Sequence, residues 1–247
     1  MDQAGWKILG VRVDAVTMDE ALTRGLELLE RPGTHRVITP NPELLSQAAR
    51  RPELCALLNR AELSLADGVG VLLAARLRGA QLPDRVPGVD YAAALARRAG
   101  ERGKRIYLLG ARPGVAQEAG RRLLRDCPGL VLAGAADGYF ADPARAADEI
   151  ACARADLVFV CLGAPRQEEW MDRYGARTGA RLLLGLGGTL DVLSGRVGRA
   201  PALWQRWGLE WLWRALRQPS RLGRLYRLPL FLAQVWMEEG RGICREN

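Results

Sequence analysis

Short, almost unbroken apolar runs recur through the first 198 residues, with amphipathic stretches between them. The runs are Arg36–Pro40, Leu63–Ala66, Arg105–Leu109, Leu130–Gly134, Leu157–Leu162 and Leu182–Leu186. Each is rich in Leu, Val or Ile at successive positions, the pattern of strands buried on both faces. Thr17–Glu30, Val89–Arg102, Val115–Arg125 and Pro143–Arg154 read as amphipathic helices. Strand–helix alternation predicts an α/β fold, a Rossmann-like parallel-core sheet with helices on both faces. Lys7–Val13 adds an edge strand or a hairpin.

The pattern changes near Arg199-Ala200-Pro201. The segment from 199 to 247 reads as helices only, separated at Pro201, Pro219 and Pro229, each suited to a first helical position. It holds nine Arg against four Glu, and five of the seven Trp. Residues 1–198 are therefore expected to form the catalytic sheet domain, and 199–247 a basic Trp/Arg-rich helical appendage. Arg214, Arg217, Arg221 and Arg224 recur at helical spacing. Trp with Arg suits a membrane interface, where rings sit at headgroup level and guanidinium groups meet phosphates. A nucleic-acid surface ranks lower, because bulky Leu, Trp and Phe are interleaved with these arginines.

Composition narrows the chemistry. The chain has 247 residues, a net charge of +8 and about half apolar residues, enough for a sizeable core. His35 is the only histidine, which excludes a multi-His metal site. The five cysteines are scattered, with no CxxC, and most lie in apolar contexts; buried, reduced thiols in a reducing compartment are expected. The N-terminus has no basic-then-apolar leader, and no run approaches the roughly 20 apolar residues of a membrane span.

In an open parallel sheet, ligands bind at the carboxyl ends of the strands. The turns that follow the six runs contain Thr39-Pro40-Asn41, Ala66-Asp67-Gly68, Gly110-Ala111-Arg112-Pro113-Gly114, Gly138-Tyr139-Phe140, Gly163-Ala164-Pro165-Arg166-Gln167-Glu168 and Gly187-Gly188-Thr189-Leu190-Asp191. Gly-rich turns at helix starts expose N–H groups and a positive dipole end, suited to phosphate. Any one of them is explained by tight αβ connections; their convergence on one edge points to a nucleotide or phosphate ligand. No strict GxGxxG occurs, so no dinucleotide cofactor is expected, and a nucleotide-dependent oxidoreductase is the lesser alternative. Asp67 fits two roles, a general base in a chain with almost no His, or the N-cap of a helix over Gly68–Arg78. Asp191 fits a ribose ligand or a cap. Asp137 reads as a turn residue. No Asp-x-Asp occurs, which argues for neutralisation of a diphosphate by Arg and helix dipoles, without a metal. Arg85, in Arg85-Val86-Pro87-Gly88, is the nearby candidate.

Together with Arg199-Ala200-Pro201 and Gly208-Leu209-Glu210-Trp211-Leu212, these motifs come in the order and approximate spacing of one family. From about residue 6 to 235 the chain resembles the N-acetylmannosaminyltransferases of wall teichoic acid and enterobacterial common antigen synthesis, glycosyltransferase family 26. The resemblance implies an inverting, metal-independent and cofactor-free transfer. An N-acetylmannosamine-type sugar would pass from a UDP-sugar to a polyprenyl-diphosphate-linked sugar, at the cytoplasmic face of the plasma membrane. It implies Asp67 as catalytic base. Asn41 and Gln167 would line the same pocket, with Arg85 as the motif arginine. Arg214, Arg221 and Arg224 would reach the acceptor diphosphate over an anionic membrane surface. Thr39, Gly68, Gly110, Tyr139, Gly163, Pro165, Gly187, Gly188, Thr189 and Asp191 complete the expected substrate site. Thr189 and Asp191 would hold the diphosphate or ribose. Nucleic acid is not an expected partner, and the sequence leaves a homo-oligomer open.

Overall fold

The structure, a computed structural model, describes residues 5–201, 204, 213, 227–237 and 245–246. Six strands form one parallel sheet in the order β4–β3–β8–β7–β5–β6. They are β3 (His35–Ile38), β4 (Leu63–Ser64), β5 (Arg105–Gly110), β6 (Val131–Ala136), β7 (Leu157–Cys161) and β8 (Leu182–Gly185). All six expected strands are present, each shifted by at most two residues at either end. The sheet is apolar on both faces for a visible reason. Val158, Val160 and Leu183 pack into one cluster, while their neighbours Leu157, Phe159, Leu182 and Leu184 pack into another.

Helices cover both faces. On one side lie α1 (Met18–Glu30), α5 (Gly88–Gly100), α6 (Val115–Asp126) and α9 (Thr189–Leu193). On the other lie α2 (Pro42–Ala48), α3 (Pro52–Asn59), α4 (Val69–Leu77), α7 (Pro143–Cys152), α8 (Arg166–Tyr174) and α10 (Arg227–Met237). Local chemistry fixes several of the starts. Thr17 and Glu20 close a reciprocal capping box at α1. Asn41 and Asp142 cap α2 and α7, each followed by Pro at the first helical position.

Lys7–Val13 falls in a hairpin, β1 (Gly5–Ile8) with β2 (Val11–Asp14), and not on the edge of the parallel sheet. Its partner is the two-residue β9 (Arg245–Glu246), antiparallel to β1. Buried Asp14 accepts the Ser64 N–H at 2.7 Å and so ties the hairpin to β4.

Of the appendage, α10 is the described helix, and Pro229 lies within it. It packs on α2 and α4 and buries Phe231 and Val235 in the same cluster as the sheet. Arg199 holds Asp90 of α5 through two bonds of 2.5 and 2.9 Å. Arg214, Arg217, Arg221, Arg224 and Pro219 lie outside the described residues. Among the described residues no helix is long and apolar enough to cross a membrane.

The cysteines depart in part from expectation. Cys127 and Cys161 are buried, Cys55 is half-buried and Cys152 is exposed at the last turn of α7; all four are free thiols. An apolar context in sequence marks a core position only where the helix turns that side inward. Cys152 follows Ile150 and Ala151 and faces out.

Candidate active site

The connections leaving β5 and β7 diverge. Helix α6 leads from β5 outward to β6, whereas α8 leads from β7 the other way to β8. A crevice opens between strand ends where connections part in this manner, and ligands occupy it. A cleft of about 570 Å³ lies there, within the range of small-molecule sites. Its walls include Arg112, Tyr139, Cys161, Arg166, Asp191 and Arg196.

The backbone at this point requires glycine. Gly110 has φ +129, and a Cβ there would stand 2.3 Å from the Cys161 carbonyl oxygen. Ala111 donates its N–H to that same carbonyl at 3.1 Å and accepts from Gly138 at 2.9 Å. The ends of β5, β6 and β7 are thereby held together beneath the cleft. Tyr139 stands on the rim, 71% exposed, with its N–H bonded to Asp137, which is the turn residue the sequence suggests. Burial pushes the Cys161 thiol up to about 12, so it is an inert part of the floor.

The neighbouring turns are braced from within. Gln167 is 3% exposed; its Oε1 accepts the Gly187 N–H at 2.9 Å, and its Nε2 donates to Glu168 at 2.8 Å. Glu168 is buried, and one of its oxygens has no hydrogen-bond partner. Burial pushes its carboxyl up to about 7. Thr189 is buried and donates to the Leu186 carbonyl at 2.7 Å. Thr39 is buried and donates to the Gly185 carbonyl at 2.8 Å, locking the end of β3 to β8. Asn41 uses Oδ1 to accept from Glu43 and Leu44 at 3.0 Å, and keeps its Nδ2 group beyond the cap. Gly163 is at φ +79 with open space where a side chain would stand, and Pro165 is the N-cap residue of α8. Gly188 is the N-cap residue of α9, so Asp191 is not a cap: it sits one turn in and faces the cleft.

Asp67 follows β4 at the far side of the same edge and does not line the cleft. The strand ends whose loops line the cleft stand two to five strand spacings from β4, roughly 9 Å or more. The cap position of α4 falls on Gly68, at φ +93 and without a side-chain cap bond, so Asp67 is not the helix cap. Its side chain is half-buried. The Arg85 loop lies alongside, because Val86 donates its N–H to the Ala66 carbonyl at 3.1 Å. Helix α10 borders this end as well: a Cβ at Gly70 would stand 2.6 Å from both Leu228 and Pro42.

A six-stranded parallel sheet covered by helices on both faces, with a cleft at its switch point, defines the class of Rossmann-like α/β proteins. Residues 6–243 match the model of the glycosyl transferase WecG/TagA/CpsF family, and the chain belongs to that family. It is a glycosyltransferase. Two relatives bear the name N-acetylglucosaminyldiphosphoundecaprenol N-acetyl-beta-D-mannosaminyltransferase. That of Bacillus spizizenii strain W23 is 38% identical over 203 residues, 82% of this chain and 79% of the relative. That of Bacillus subtilis strain 168 is 35% identical over 203 residues, again 82% and 79%.

Sequence reasoning misses Arg112, Arg166 and Arg196 as site residues. Two of them stand inside turns that the sequence singles out, but Arg is common on surfaces, and nothing in a turn's spelling says that its side chain faces a cleft. Arg196 stands eleven positions beyond the end of β8 and gives no local signal.

Proposed function

We propose that this chain transfers an N-acetylmannosamine-type sugar from a UDP-sugar to a polyprenyl-diphosphate-linked N-acetylglucosamine. The transfer inverts the anomeric centre. The observation that carries this reading is the layout of the carboxyl edge, with a nucleotide-sized cleft at one part and Asp67 at another. A nucleoside diphosphate sugar laid along the edge is long enough to put its base in the cleft and its sugar near Asp67. Tyr139 offers a ring face to the uracil, and the Asp191 carboxylate offers acceptors to ribose hydroxyls. Asp67 takes the proton of the acceptor hydroxyl as that oxygen bonds to the anomeric carbon. The bond from that carbon to the diphosphate oxygen breaks, and its electron pair leaves with UDP. Arg85 and the Asn41 amide flank the reacting sugar. Buried Thr39, Gln167 and Thr189 hold the strand ends that carry these groups, with Gly68, Gly110, Gly163, Pro165, Gly187 and Gly188 shaping the turns.

The same reading makes residues 199–247 an appendage that meets the inner face of the plasma membrane. Exposed Leu230, Trp236 and Met237 on α10 support it, since this helix borders the Asp67 end and so brings a lipid-borne acceptor to the base. Arg214, Arg221 and Arg224 then reach the lipid diphosphate.

The test is product mass after the full chain is incubated with a panel of UDP-sugars and a lipid-diphosphate N-acetylglucosamine. One N-acetylhexosamine added from UDP-N-acetylmannosamine alone is the expected outcome. Equal transfer from other UDP-sugars overturns the donor assignment, and no transfer from any overturns the reaction.

A further inference from the structure

We infer that Arg112, Arg166 and Arg196 form the clamp that holds the donor's diphosphate, an assignment that rests on the nucleotide-sugar reading above. One arginine comes from each of three neighbouring strand ends: Arg112 after β5, Arg166 at the head of α8 after β7, and Arg196 beyond α9 after β8. All three line the one cleft.

Their convergence on one cleft, opposite a single acid, is the telling feature. Some arginines of the sheet domain are paired off: Arg36 and Arg60 share Asp172, Arg51 meets Glu169, and Arg199 meets Asp90. Among the described residues none of the three cleft arginines forms an ion pair. Arg166 lies over the Phe140 ring, 5.1 Å from its centroid, a cation–π contact that holds it at the cleft. Arg196 brings Nη2 to 3.3 Å from where a Gly114 Cβ would stand, beside the start of α6. Asp191 is the one acidic residue on the described walls, so the lining carries an excess of two positive charges. Base and ribose are neutral and do not call for that excess, whereas a diphosphate does. Planar guanidinium forks match phosphate oxygens in geometry as well as charge. In the transfer step the electron pair of the broken bond arrives on the β-phosphate. Preformed cations at that place stabilise the developing charge. The clamp thus gives the sheet domain its own diphosphate site, separate from the appendage arginines assigned to the lipid diphosphate.

The test is calorimetric titration of the full chain with uridine and with UDP. Wild type, Arg166→Gln, Arg196→Gln and the double variant are compared at two salt concentrations. Wild type is expected to bind UDP at least about 10-fold more tightly than uridine, with the difference shrinking in salt, as charge-assisted bonds require. The double variant is expected to lose about 10-fold or more of its UDP affinity and to keep its uridine affinity. Uridine binding reports that the cleft is still folded. Unchanged UDP affinity in the double variant overturns the clamp and leaves the nucleotide-sugar reading standing. An equal loss for both ligands also overturns it, because the arginines then shape the cleft. A wild-type chain that ignores UDP overturns the reading itself, and the clamp with it.

Discussion

Gln167 and Gly187 are joined across the gap between α8 and the turn after β8, the side-chain oxygen accepting the glycine N–H at 2.9 Å. The bond fixes the Gly187–Gly188 turn from behind, and this turn starts the short helix that carries Asp191. Gln167→Ala removes the acceptor, leaves the half-buried Gly187 N–H unpaired, and strips buried Glu168 of its donor. A stability loss of about 1–3 kcal/mol follows, on the scale of unsatisfied buried groups. UDP affinity should fall too, because Asp191 is no longer held. Urea unfolding together with UDP titration checks both effects. A variant that unfolds earlier but binds UDP as before would show that the brace serves stability alone.

Glu168 gives a pH dependence whose sign can be worked out. Burial raises its carboxyl from the usual 4.5 to about 7. Below pH 4.5 it is protonated in both folded and unfolded chains and costs nothing. Between 4.5 and about 7 the unfolded chain gives up the proton while the folded chain keeps it. Stability therefore declines over that window and levels off above it, by an amount on the order of 3 kcal/mol. Glu168→Gln cannot titrate and should lack that decline. Comparing the urea midpoints of wild type and variant at pH 5 and pH 8 tests this. Parallel curves across the range would mean that the carboxyl ionises in place at no cost.

Asp67 precedes the cap of α4 instead of forming it. Its carboxylate can therefore be replaced without loss of the helix start. Asp67→Asn should retain the fold and the UDP affinity, since the residue does not line the cleft. Turnover should drop about 100-fold or more, on the scale of general-base effects. Single-turnover transfer beside a UDP titration separates the two. Normal turnover in Asp67→Asn would remove the base assignment, and lost UDP affinity would show that the residue shapes the nucleotide site.

The fold is legible where burial is two-sided. Runs such as Leu157–Leu162 have apolar residues at every step, and only a covered parallel strand asks for that. Helices α2 and α3 do not emerge from the pattern between Asn41 and Glu62. At seven and eight residues they are too short to repeat an apolar face, and their proline starts are the one clear mark. In the candidate site, sequence finds the turns but not the use each side chain is put to. Thr39, Gln167 and Thr189 are polar residues in polar turns, yet they face inward to bind backbone groups. A hydroxyl facing ligand and one facing a carbonyl share the same spelling. Asp191 stays open between a ribose ligand and a cap in the sequence, and the cap position at Gly188 removes the second.

The outward face of α10 presents Leu230, Trp236 and Met237, each more than 60% exposed, while Phe231 and Val235 hold the helix to the sheet domain. The inward residues make truncation before Arg199 a poor test, because it would uncover the apolar socket of Phe231 beside α2 and α4. Point changes on the outward face avoid this. Leu230→Ser with Trp236→Ser should leave the unfolding midpoint nearly unchanged, since neither side chain contributes much to the core. Inserting a Leu or a Trp into an apolar phase is favourable by about 1.5–3 kcal/mol when burial is complete. Removing both should therefore lower binding to anionic vesicles about 10-fold or more. Flotation with phosphatidylglycerol vesicles measures it, and UDP titration of the same variant shows that the cleft is intact. Undiminished flotation would mean that lipid meets the chain elsewhere, and the acceptor's route to Asp67 would then have to be drawn along another face.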